Sequence, residues 1–236
     1  MTHTVPPELF GCWKRKWIEF ADGTRDDTSL VIWLQLPSKM ADVRLSIDQP
    51  GRSGQSGFAD LTLDELRRLA DSESSSGFTT CTPIETDASG VRRATAEWFT
   101  RGHGVAFQPV SAYPEPGLLE WSDDGAVMME RAPSGAYVEE WHLVPGSADR
   151  LDYRVRPDGV ELYRAGPVCV LVRDRLIPVP RLARLEELVE ACRDNRAEME
   201  ALIDCEFSFA RQHGSGYVVE ASTLPWNIGK VVDVDL

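Results

Sequence analysis

Glu139 stands between Tyr137 and Trp141 at the alternating spacing that puts all three side chains on one side of a β-strand. If that side is an interior, burial disfavours the charged carboxylate and raises its pKa, which suits general acid or base work near neutral pH. If the opposite side is the interior, Glu139 is in water and the two rings are only partly covered. Spacing alone leaves both orientations open. Arg15 is flanked in the same way by Trp13 and Trp17. A buried guanidinium needs a counter-charge or an anionic ligand, so Arg15 either pairs with Glu139 or receives a carboxylate or enolate oxygen. Gln35, beside Trp33 on its strand, offers both donor and acceptor. It suits either a ligand carbonyl or a satisfied place in a wall. Glu139 and Arg15 are therefore the candidate catalytic residues. Trp13, Trp17, Trp33, Gln35, Tyr137 and Trp141 are the candidate substrate-binding residues. Faces that mix indoles with Arg, Gln and Glu fit the lining of a small-molecule cavity.

Other ionisable residues carry weaker signals. Asp42 and Arg44 share a strand face and read as a solvated salt bridge. Glu140 and His142 fall on the face opposite Trp141, and His103 and His213 sit in glycine-flanked turns. The four histidines are too dispersed to imply a metal site. No Gly-x-Gly-x-x-Gly, Walker loop or Gly-x-Ser-x-Gly occurs, which argues against nucleotide-dependent and serine-hydrolase chemistry. No cofactor is expected.

These side chains require strands to carry them. Alternation and turn residues predict strands at 12–20, 28–36 and 40–47, joined at Ala21-Asp22-Gly23 and Pro37-Ser38. Leu30, Ile32, Leu34 and Leu36 share one face of the second. Ala41, Val43, Leu45 and Ile47 form the apolar face of the third, opposite Asp42, Arg44 and Ser46. A loop rich in Gly, Ser and Pro covers 48–57. Thr62, with Glu65 as its capping-box partner, opens a short helix with the stripe Leu63, Leu66, Leu69 and Ala70. Further strands are expected near Thr79 and at 91–100, 105–109, 118–121, 127–131 and 137–143. Their hairpin turns fall at Asp123-Asp124-Gly125 and Pro133-Ser134-Gly135. Pro145-Gly146-Ser147 marks a boundary between a part at 1–145 and a smaller one at 146–236. The second part repeats the theme, with strands at 151–156, 160–164 and 168–173. A long helix over 181–204 follows, striped by Leu182, Leu185, Val189, Cys192, Met199 and Ile203, then strands at 205–211 and 217–222. At ~1.5 Å per residue that helix would be roughly 35 Å long.

The chain of 236 residues suffices for one large β domain or two smaller ones. Its formal charge of −13 argues against nucleic acid and anionic membrane surfaces as partners. Residues 1–10 show no secretory signal, and no apolar run approaches the ~20 residues of a membrane helix. The five cysteines are odd in number and scattered, as expected of free thiols in the cytoplasm.

Gly11-Cys12-Trp13, at the start of the first strand, is a pairing common in calycins. With the hairpin strand Tyr137-Val138-Glu139-Glu140-Trp141 and the meander layout, it makes the chain resemble the calycin (lipocalin-like) β-barrel superfamily. The doubled arrangement resembles the HRI1-like double-barrel proteins. The resemblance implies a closed barrel with a ligand cavity, not a named activity. The expected fold is thus mainly antiparallel β, one barrel or two, with one short and one long α-helix. The expected function is binding of a small aromatic or lipidic organic molecule in the cavity. The alternative is a cofactor-independent isomerase, cyclase or lyase in which a cavity carboxylate transfers protons and an arginine steadies negative charge. An interaction protein with a solid core is the third reading. A homodimer is left open.

Overall fold

The computed structural model describes residues 5–46, 55–100, 102–112, 114–180 and 183–234. Ile47, the loop at 48–54 and the expected helix start at Arg181 and Leu182 lie outside the described residues. The chain runs through β1 (Gly11–Phe20), β2 (Arg25–Asp26), β3 (Leu30–Gln35), β4 (Met40–Leu45) and α1 (Leu63–Leu69). It continues through β5 (Ser75–Cys81), β6 (Glu85–Thr86), β7 (Arg92–Phe99), β8 (Gly117–Trp121), β9 (Val127–Arg131) and β10 (Tyr137–Leu143). Then come β11 (Leu151–Val155), β12 (Glu161–Ala165), β13 (Val168–Arg173), α2 (Leu185–Ala191) and α3 (Arg196–Ile203). Three strands end the chain: β14 (Glu206–His213), β15 (Gly216–Ser222) and β16 (Val231–Val232).

Antiparallel pairing in the order β1-β3-β4-β5-β7-β8-β9-β10, with β10 returning to β1, closes an eight-stranded barrel. The short β2 and β6 add to β1 and β7. Closure removes the exposed strand edges that an open sheet would present. One end is plugged by the N-terminal segment. Val5 and Leu9 pack there against Trp13, Leu119, Trp121 and Met128, and Trp13 Nε1 donates to the Leu9 carbonyl at 2.9 Å.

The remaining strands, in the order β11 to β16, form a second antiparallel sheet that curls into a half-barrel. It packs on the outside of β3 and β4. Ile32, Leu34, Ala41 and Val43 share one buried core with Val170, Val172, Phe207 and Phe209. These two barrel strands are consequently covered on both faces. The apolar row Ala41, Val43 and Leu45 faces the half-barrel, and the polar row Asp42 and Arg44 faces the barrel interior. The expected solvated Asp42–Arg44 pair is corrected accordingly: the pair forms, but inside the barrel. Gly166, at φ +54°, fits the two parts together, because a Cβ there would lie 2.0 Å from the Gly146 carbonyl oxygen.

The helices differ from expectation in two respects. The single long helix is broken into α2 and α3, because the Asn195 side chain accepts the Glu198 backbone N–H and caps a new helix. Leu185, Val189, Met199 and Ile203 still pack into the shared core. In α1 the Thr62–Glu65 capping box is present, but Leu63 is 42% exposed and the stripe begins at Leu66. The strand expected at 105–109 is a loop held by one bridge, Ser75 to Ala106. Among the described residues no helix is long and apolar enough to cross a membrane.

Candidate functional site

Facing pairs on antiparallel strands put their side chains on the same face, so register alone assembles the interior. Arg15 lies opposite Trp141, Trp13 opposite Trp33, Trp33 opposite Asp42, Val31 opposite Arg44, and Glu130 opposite Glu139. Above the plugged end these side chains border a cavity of about 790 Å³. Exposed residues of β7 and the loop after it, including Glu97, Phe99 and His103, line its other end, where it opens to solvent.

Six of the eight sequence candidates face the barrel interior together with this register: Trp13, Arg15, Trp33, Tyr137, Glu139 and Trp141. Trp13 belongs to the plug rather than to the cavity lining. Gln35 is fully buried, but its amide is already used. Its Nε2 donates to the Leu36 carbonyl at 2.7 Å and its Oε1 accepts from Thr79 Oγ1 at 2.6 Å. Trp17 departs from its expected place. A bulge shifts the β1–β10 register between Arg15 and Trp17, so the alternation slips by one residue. Ile18 and Phe20 then turn inward, while Trp17 lies outside under the Arg25 guanidinium, 4.2 Å from its ring centroid.

The interior is electrostatically dense. Arg15 Nη1 donates to Glu139 Oε1 at 2.8 Å and Nη2 to Asp26 Oδ2 at 2.9 Å. Glu139 is 2% exposed, so this ion pair is shielded from water. Arg44 Nε donates to Asp42 Oδ2 at 2.7 Å, and its Nη1 lies 3.9 Å from Glu139 Oε1. Burial works against the Arg44 charge, but Asp42 and Glu139 outweigh it and keep the guanidinium ionised. Burial pushes the Asp42 carboxyl above its usual range despite Arg44. Glu130 is pushed up to about 8, first by burial and then by the charge of Glu139 beside it. Tyr137 donates to Glu130 Oε1 at 3.2 Å, and burial followed by the Glu130 charge raises the phenol. Gly117 makes room for this carboxyl, since a Cβ there would sit 2.9 Å from Glu130 Oε1.

Three indoles meet among these charges. Trp33 lies edge to face with Trp98 at 5.6 Å and with Trp141 at 6.1 Å between ring centroids. The Arg44 guanidinium is 6.0 Å from the Trp141 ring. Sequence reasoning missed Glu130, Asp42, Arg44 and Trp98 as cavity residues. The signal was present for three of them. Counting outward from the Pro133-Ser134-Gly135 turn pairs Glu130 with Glu139, and counting from Pro37-Ser38 sets Asp42 opposite Trp33 and Arg44 opposite Val31.

All five cysteines are free. Among the described residues no group of three or more His, Cys, Asp or Glu side chains is placed to hold a metal ion. No protein-family model matches the chain, and no curated protein or solved structure matches it.

Proposed function

We propose that the barrel encloses a small organic molecule, aromatic or lipidic in part, held among Trp33, Trp98 and Trp141 and oriented by the charged groups beside them. The cavity carries this reading, because about 790 Å³ falls within the ~300–1,000 Å³ of small-molecule sites. Charged groups with no role at a ligand would be replaced at little cost by apolar ones, so a buried cluster of this size favours binding over a merely structural interior. The pairing of closed barrel and half-barrel supports the likeness to the HRI1-like calycins, with 1–145 as the enclosing part and 146–236 as its brace. Five free thiols fit a reducing, cytoplasmic setting.

The test uses the indoles as reporters. Titration with the neutral dye N-phenyl-1-naphthylamine is expected to give saturable quenching of tryptophan emission in the micromolar range. A Trp33→Phe substitution should diminish the response. Emission indifferent to this dye and to a panel of neutral metabolites would refute enclosure.

One observation favours the catalytic reading within the same cavity. Glu139 is committed to Arg15, whereas Glu130 keeps a proton at neutral pH close to a charged arginine. That combination fits a cofactor-independent isomerase, cyclase or lyase, with Glu130 as the acid and Arg44 steadying developing negative charge. For any substrate found, Glu130→Gln should lower turnover ~10²-fold or more while dye affinity stays unchanged. Turnover retained in that variant would leave binding alone.

A further inference from the structure

The cavity group with most to offer an occupant is Arg44. Its side chain is 30% exposed although it projects from a strand covered on both faces, so that exposure is toward the cavity. Its Nε is anchored on Asp42, which fixes the plane of the guanidinium. The two terminal nitrogens have no hydrogen-bond partner among the described residues, since Glu139 at 3.9 Å is beyond reach. Arg15, by contrast, spends both terminal nitrogens on Glu139 and Asp26. A planar, charged donor pair held in place beside an aromatic cluster is built to receive an acceptor oxygen.

The surrounding charge decides what bears that oxygen. Around Arg15 and Arg44 stand the carboxyl groups of Asp26, Asp42, Glu130 and Glu139, and the open end adds Glu73 and Glu97. With Glu130 protonated, the acids Asp26, Asp42, Glu73, Glu97 and Glu139 still outnumber the two arginines, so a carboxylate or phosphate on the occupant would enter a lining already short of positive charge. A cation beside Arg44 would meet its guanidinium directly. An uncharged carbonyl meets neither penalty and still takes charge-assisted hydrogen bonds.

Building on the enclosure reading above, we propose that the occupant is an uncharged carbonyl compound on a flat apolar frame, and that Arg44 receives its oxygen. The lining thereby selects ketones, aldehydes, esters or amides over free acids and amines of the same shape. Arg44 is a specificity-determining residue in this arrangement, and Asp42 positions it.

Four naphthalene probes of one frame test this by tryptophan fluorescence: naphthalene, 2-acetylnaphthalene, 2-naphthoate and 2-naphthylmethylamine. The ketone is expected to bind ~10-fold more tightly than the hydrocarbon, with the acid and the amine weaker than the ketone. Arg44→Met should erase the ketone's advantage and leave naphthalene within ~2-fold of its original affinity. Because that change strands Asp42, the Asp42→Asn/Arg44→Gln double variant provides a second reading, with circular dichroism as the check on folding. Naphthalene binding with no gain for the ketone overturns the inference and leaves enclosure standing. A preference for the acid or the amine overturns it as well. Failure of all four probes to bind removes both the inference and the enclosure it rests on.

Discussion

Between pH 4.5 and pH 8 the wild-type chain should lose stability, and Glu130→Gln should remove ~5 kcal/mol of that loss. The Glu130 carboxyl is pushed from the ordinary 4.5 up to about 8, by burial first and by Glu139 second. Below 4.5 the folded and unfolded chains both hold the proton, and no penalty exists. Through the window the folded chain keeps a proton that the unfolded chain has released, so stability falls as pH rises. Above 8 both forms are ionised and the penalty is complete. Gln is nearly isosteric and still accepts the hydrogen bond from Tyr137, but has nothing to titrate. Other carboxyl groups raised by burial, Asp42 and Glu73 among them, contribute slopes of the same sign and remain in both proteins. The difference between the two curves therefore isolates Glu130. Urea unfolding of wild type and variant at pH 5, 6, 7 and 8 measures it. Parallel curves would mean that water reaches Glu130 freely, and the case for a neutral acid in the barrel would be lost.

Much of the barrel was legible because its turns are. Pro37-Ser38, Asp123-Asp124-Gly125 and Pro133-Ser134-Gly135 each lie between alternating runs, and the strands on both sides appear where alternation places them. Three things were hidden, each for a physical reason. The apolar row of β4 is buried most deeply, yet it points away from the barrel, because a second sheet covers it. Hydrophobicity reports burial and does not say against which partner. The bulge at Lys16 was invisible, since an inserted residue among Trp, Lys and Arg disturbs no composition, and it turned Trp17 outward. The helix break at Asn195 carried a recognisable signal, Asn followed three residues later by Glu198, but the apolar stripe continued on both sides and masked it. Glu139 and Arg15 stood out as individuals because they are flanked by aromatics, and both side chains lie in the barrel interior. Glu130, in a strand of methionines, required the pairing rather than the neighbours.

Arg15→Met should destabilise the fold by ~3–5 kcal/mol, more than Glu139→Gln, and the double variant should be more stable than Arg15→Met alone. Removing Arg15 leaves the Glu139 carboxylate in a dry wall with Glu130 directly across the strand pair and Arg44 no nearer than 3.9 Å. Removing the Glu139 charge instead leaves Arg15 with its second partner, Asp26, at 2.9 Å. The asymmetry follows from the geometry, since the arginine has two counter-ions and the glutamate's one close counter-ion is Arg15. In the double variant the buried Glu139 charge is gone with its partner and only the partly exposed Asp26 loses a counter-ion, so the coupling between the two changes should reach ~2 kcal/mol. A double-mutant cycle by urea unfolding at pH 7 gives the number directly. Additive effects within ~0.5 kcal/mol would show the pair screened by solvent.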